Sequence, residues 1–209
     1  MTRSADSFNR RGAIYDQQPT VLVICEDTKS SKTYLEALAG HFRSGVKVVD
    51  FDHCGNTDPL GIVRAAIKRK RDYECVYCVI DRDSHENFDQ AINYASGVGV
   101  KTIVSYPCFE YWLLLHFGCN RKPFVRTGNK SAGDNVVAEL RKQPQMNNYQ
   151  KGGNHNWFAL LFDKYEIAKR NAVRTLDQAR REGEVNPSTE LHILIDTIEK
   201  LSEPKPAKA

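Results

Sequence analysis

Short apolar runs alternating with helix-spaced segments predict an α/β fold: a parallel sheet of about four strands flanked by helices, with a C-terminal helical extension. Three observations carry that expectation. Strand-like runs rich in Val and Ile fall at 20–25, 46–51, 75–81 and 99–105. Between them, at 30–42, 58–72 and 85–95, apolar residues recur at spacings of three and four. Acidic residues stand where two of the runs end, Glu26 after the first, and Asp81 and Asp83 at the third. Ligands of open α/β sheets collect at that end of the strands.

Taken in order, residues 1–18 are polar, carry Arg3, Arg10 and Arg11, and lack periodicity; they read as a flexible basic arm. Residues 19–106 hold the strand–helix alternation. From 107 the character changes: Pro107-Cys-Phe-Glu-Tyr-Trp-Leu-Leu-Leu-His-Phe117 reads as a dense apolar helix opened by proline. Further helices are expected near 133–142, 156–181 and 187–201, the last with Asn186 as cap and Pro187 just inside. The region 107–201 is taken as helical and packed on the sheet, and 202–209 as a disordered tail.

The 209 residues suffice for one sizeable domain. Apolar residues at 41% and charged residues at 27% exclude a wholly disordered chain. A net charge of +4 permits a nucleic-acid partner without requiring one. No apolar stretch is long enough to span a bilayer and the N-terminus lacks a signal-peptide pattern, so a cytoplasmic protein is expected. Cys75 and Cys78 lie within one strand and point to opposite faces, so the six cysteines are read as reduced thiols rather than zinc ligands.

The chemistry centres on Asp81-Arg82-Asp83-Ser84-His85. Two carboxylates at this spacing after a buried strand can reach one site, and magnesium is held by one or two carboxylates together with waters and phosphate oxygens. Capping of the next helix by Asp83, with Glu86, is the competing explanation. Glu26 adds a third acid, or else is a solvated turn residue. With Glu26, Asp81 and Asp83 holding one or two ions, water activation and leaving-group stabilisation follow. His85 is a candidate for proton transfer or metal support, against an exposed residue of a helix's first turn. Glu110 sits among aromatics and needs a partner, either a salt bridge or the metal site. Lys29 and Lys32 stand where a phosphate would be drawn in, or are simply exposed lysines. A looser basic series of Lys122, Arg126, Lys130, Arg141, Lys142 and Lys151 offers a track for a polyanion, with Tyr149 or Trp157 as ring surfaces for an unpaired base. The run Lys68-Arg-Lys-Arg71 complements a helix dipole. His116 and His192 are read as structural.

Three segments resemble the RloB-like proteins of the wider Toprim group of metal-dependent nucleases, topoisomerases and primases. They are Val21-Leu-Val-Ile-Cys-Glu-Asp-Thr-Lys-Ser-Ser-Lys-Thr-Tyr-Leu35, Val79-Ile-Asp-Arg-Asp-Ser-His85 and Ser105-Tyr-Pro-Cys-Phe-Glu-Tyr-Trp-Leu-Leu-Leu-His-Phe117. The helix start at Asn186-Pro-Ser-Thr189 also fits. The resemblance implies a Toprim-like core over 19–106, Glu26 as the Toprim glutamate, and Asp81 and Asp83 as the metal-binding aspartates, with Mg²⁺ or Mn²⁺ as cofactor. Asp27 stands where the family usually has glycine, either tightening the turn or adding a fourth carboxylate, and Ser30 and Ser31 replace a Thr-Glu pair. RloB-like genes accompany restriction and other antiviral loci, which implies a defence effector.

The expected function is therefore a metal-dependent nuclease in which Glu26, Asp81, Asp83 and His85 carry the chemistry and Lys29, Lys32 and Lys151 meet nucleic acid; the resemblance to Toprim defence nucleases, some of which cut transfer RNA, and not the motif, favours RNA over DNA. A defence-system partner such as an ATPase or CRISPR-type complex and a homo-oligomer are the further partners considered, and a membrane is not. A phosphatase with an aspartyl nucleophile fits poorly, because the DxD follows the third strand rather than the first. A non-catalytic nucleic-acid-binding or sensor module is the alternative.

Overall fold

The computed structural model describes residues 20–43, 49–55, 57–82, 85–153 and 155–203. Five strands form one sheet: β1 (Val21–Cys25), β2 (Val49–Asp52), β3 (Cys75–Asp81), β4 (Lys101–Tyr106) and β5 (Ser188–Thr189). Their order is β2-β1-β3-β4-β5; the first four run parallel and β5 is antiparallel to β4. The sheet thus has one strand more than expected. With helices on both faces, this α/β arrangement is consistent with the Toprim-like core implied by the resemblance.

Central parallel strands are covered on both faces, which is why β1 is apolar at every position and all five of its residues are buried. Alternate β1 side chains enter two cores. Val21, Val23 and Cys25 join Tyr34, Leu35 and Leu38 of α1 (Ser31–Phe42) on one face. Leu22 and Ile24 join Ile62, Val63 and Ala66 of α2 (Pro59–Arg69) and Ala91 and Ala95 of α3 (Phe88–Gly97) on the other. Truncating a fully buried residue such as Leu35 to alanine would cost about 2–5 kcal/mol. Cys75 packs against the first core and Cys78 lies in the second, as alternation along β3 requires, and all six cysteines are free thiols. The helix α2 starts where Asp58 accepts from the Gly61 amide at 2.8 Å, with Pro59 at its first position.

The C-terminal region builds on the first core. Its helices are α4 (Glu110–Leu114), α5 (Ala132–Leu140), α6 (Trp157–Leu161), α7 (Tyr165–Glu182) and α8 (Leu191–Ser202). Trp112, Leu140, Phe158, Ala168 and Ile195 all lie in the cluster that contains Val23 and Val79. The long helix expected over 156–181 is divided by a 3-10 turn at Phe162–Lys164, around which Phe158, Phe162 and Tyr165 pack on one another. The helix α7 closes at Gly183, whose φ of 69° is the left-handed cap that glycine adopts without penalty.

Two expected helix starts are corrected. Pro107 follows a cis peptide bond, and α4 begins three residues later at Glu110. Pro187 also follows a cis bond, and the Asn186 side chain is used elsewhere: it donates to the Phe124 carbonyl at 2.8 Å and accepts from the Phe124 amide at 3.3 Å. Ser188 and Thr189 instead extend the sheet, Thr189 Oγ1 lying 2.8 Å from Ser105 Oγ, and Thr189 Oγ1 accepts from the Leu191 amide at the real start of α8. The expected basic arm at 1–18 lies outside the described residues. So do 204–209 of the expected tail, whereas Ser202 is the last residue of α8. No helix among the described residues is long and apolar enough to cross a membrane.

Candidate functional site

Cys25 pairs with Val79, so adjacent strands β1 and β3 release their chains side by side at the C-terminal edge of the sheet. Glu26 follows β1 directly. Its amide donates to the Val79 carbonyl at 3.1 Å, and its Oε2 accepts from the Asp81 amide at 2.9 Å. The glutamate carboxylate therefore closes the end of the β3 ladder and is held beside the Asp81 backbone. Both residues are half-buried.

A third acid reaches this edge from outside the parallel core. Glu110 opens α4, a helix buried at all five positions, and is itself fully buried. Its Oε1 accepts from Tyr149 Oη at 2.9 Å. Its Oε2 has no hydrogen-bond partner, and the nearest cation, Lys151 Nζ, lies 3.8 Å away. A buried carboxylate oxygen without a donor is costly unless a positive charge serves it. Burial, then Glu110 and Glu26, raise the Asp81 carboxyl well above the ordinary carboxylate range, with Lys151 opposing them. Burial likewise raises the Cys108 thiol, reinforced by Glu110 and Asp81. Burial works against the Lys151 ammonium, yet Glu110, Cys108, Asp81 and Asp27 together hold its proton more tightly than in an ordinary lysine. Excess negative charge thus surrounds Asp81, offset mainly by Lys151.

The family model described as "RloB-like protein" matches residues 21–198, most of the chain and every element from β1 through the greater part of α8. The chain belongs to the RloB-like family. No curated protein and no solved structure matches it.

Among the described residues of this RloB-like protein, no three His, Cys, Asp or Glu side chains are gathered closely enough to hold a metal ion by themselves. Asp83, on which the expected set also relies, lies outside the described residues. The donor chemistry nevertheless fits a hard cation: Glu110 and Glu26 raise the proton affinity of Asp81, and one buried carboxylate oxygen of Glu110 makes no hydrogen bond. Magnesium needs only one or two protein carboxylates, because waters and phosphate oxygens complete its shell.

Asp27 resolves towards the turn. It accepts from the amides of Lys29 (2.9 Å), Ser30 and Ser31 (3.1 Å) and from Ser31 Oγ (2.7 Å), tying both carboxylate oxygens to the start of α1. Lys32 pairs with Glu36 at 2.9 Å along α1. Lys29 is exposed and lies against Gly152, and the Gly152 amide donates to Ser30 Oγ at 3.3 Å. The loop that carries Lys151 is therefore docked on the turn that follows Glu26. His85 lies near Asp58, the cap of α2: the Asn87 side-chain amide lowers the Asp58 carboxyl most, burial opposes it, and the Gly61 amide and the nearby His85 lower it further. Asn87 occupies the position before α3, whose first residue is Phe88; the capping expected of Asp83 falls outside the described residues.

Two expected ring surfaces are corrected. Tyr149 and Trp157 are 1% and 6% exposed and pack on each other, so neither offers a face to a base. Arg141 of the basic series donates to the Tyr149 carbonyl at 2.8 Å, and Lys142 pairs with Glu139. Arg69, in the run 68–71, holds Asp52 and Tyr73 and so serves the fold. His116 is buried, with Nε2 3.3 Å from Tyr34 Oη and Nδ1 against the Trp112 and Leu113 carbonyls, and burial lowers its pKa to about 4. The service of Tyr149 to Glu110 was not visible beforehand, because 39 residues separate them and no short motif contains both.

Proposed function

We propose that this protein is a divalent-metal-dependent nuclease that hydrolyses phosphodiester bonds of nucleic acid, RNA including transfer RNA in preference to DNA, as an antiviral defence effector. The observation that carries the reading is the accumulation of acid around Asp81, where Glu26 and the buried Glu110 both act on one strand end. Glu26 and Asp81, with Asp83, are the residues that would hold Mg²⁺ or Mn²⁺, and Glu110 adds charge from behind. Such an ion supplies Lewis-acid stabilisation and a readily deprotonated water. Lys29, exposed beside the loop that carries Lys151, would offer its charge to an approaching backbone phosphate, and Lys151 would add its own. The preference for RNA and the defence role rest on the family resemblance.

One observation favours the non-catalytic alternative, a nucleic-acid-binding or sensor module: Lys151 already provides a cation 3.8 Å from Glu110. The two readings separate on cleavage. Wild type, Glu26→Ala and Asp81→Ala are incubated with total RNA, single-stranded DNA and duplex DNA, with and without Mn²⁺. Metal-dependent cutting of at least one substrate by wild type alone is expected. Binding without cutting selects the alternative, and equal cutting by the variants discards the site.

A further inference from the structure

Resting on the metal reading of the same site, we infer that Lys151 is an internal counter-ion that a divalent cation must displace. Four observations carry this. Glu110 is fully buried, and its Oε2 makes no hydrogen bond. Lys151 Nζ, at 3.8 Å, is beyond hydrogen-bonding reach of that oxygen but close enough to neutralise it through space. The charges that act on Lys151 include Glu110, Asp81 and Asp27, which come from three separate elements around the strand ends. Finally, the Lys151 side chain is 58% exposed, so it is not locked into the core beside Glu110.

A lysine ammonium is a compact charge on a flexible stem, and moving it outward from here uncovers little apolar surface. A divalent ion with bound waters delivers twice the charge to the same carboxylates and can donate hydrogen bonds to Glu110 Oε2 that Lys151 does not make. Lysine and metal therefore compete for one patch of negative potential. With the ion bound, Lys151 is free to turn to the rim beside Lys29, where an incoming phosphate would meet it. The acids are in this way neutralised before the metal arrives, and the metal's affinity is set partly by the lysine.

The test uses the full chain and Mn²⁺ alone, with free ion counted by electron paramagnetic resonance in wild type, Lys151→Met, Lys151→Arg and, as a control for lost surface charge, Lys142→Met. Removing a unit positive charge at this range is expected to tighten Mn²⁺ binding by about tenfold or more in Lys151→Met. Lys151→Arg and Lys142→Met should stay within about twofold of wild type, a difference below 0.5 kcal/mol. Unchanged or weaker binding by Lys151→Met, with wild type still binding, overturns the counter-ion role and leaves the metal site standing. No binding by any of the proteins overturns both. Circular dichroism of each variant confirms that a change in affinity is not a loss of fold.

Discussion

Tyr149 Oη donates to Glu110 Oε1 at 2.9 Å, and this bond fastens the loop beyond α5 to the first residue of α4 beside the sheet edge. Tyr149→Phe would remove the hydrogen bond that the buried Glu110 carboxylate accepts, while its other oxygen already makes none. A loss of about 1.5–3 kcal/mol is expected, as for a hydrogen bond to a charged group. Urea denaturation checks it, and adding Glu110→Leu to Tyr149→Phe should restore much of the loss, because the buried acid is then gone.

Asp81 makes the opposite contribution at neutral pH. Its carboxyl is raised by burial and by Glu110 and Glu26, so protonation favours the folded state. The stability it gives is complete below the ordinary aspartate range and is lost as pH rises through its higher folded value. Asp81→Asn should therefore melt above wild type at pH 7, by about 2–4 °C for each kcal/mol recovered in a domain of this size. Thermal melts at pH 4 and 7 check the sign, with a smaller difference at the lower pH.

His116 behaves in the reverse sense. It is neutral when folded, with a pKa lowered from 6.5 to about 4. As pH falls from 6.5 towards 4 the unfolded chain takes up a proton that the folded protein refuses, and stability drops by up to about 1.4 kcal/mol per pH unit. His192, also lowered by burial, acts in the same direction. Urea midpoints across this interval should slope downward in wild type, and His116→Asn should flatten the part that His116 supplies.

The parallel core was legible because its signals are local and continuous. The run 75–81 coincides with β3, and 20–25 differs from β1 by one residue, since apolar strands covered on both faces announce themselves. Glu26 and Asp81 at strand ends followed from the same pattern. The fifth strand was hidden because Ser188–Thr189 has two residues and no apolar run; pairing with Ser105 and Tyr106 makes it a strand. Asn186 misled because its amide serves Phe124 across 62 residues instead of capping the next turn. Tyr149 and Trp157 looked available to a base because an aromatic residue flanked by polar ones carries no mark of burial. The depth of Glu110 was anticipated from Phe109, Trp112 and Leu113, but its coupling to Asp81 depends on α4 packing against β4, the neighbour of β3, which spacing alone does not encode.

Anomalous diffraction from a crystal soaked in Mn²⁺ tests most directly whether these acids share a cation. A single strong peak within about 2.2 Å of a carboxylate oxygen of Asp81 and of one from Glu26 is the predicted result, the spacing being that of a hard ion on oxygen. A well-ordered Mn²⁺ bound elsewhere, with Asp81 and Glu26 bare, would contradict the account.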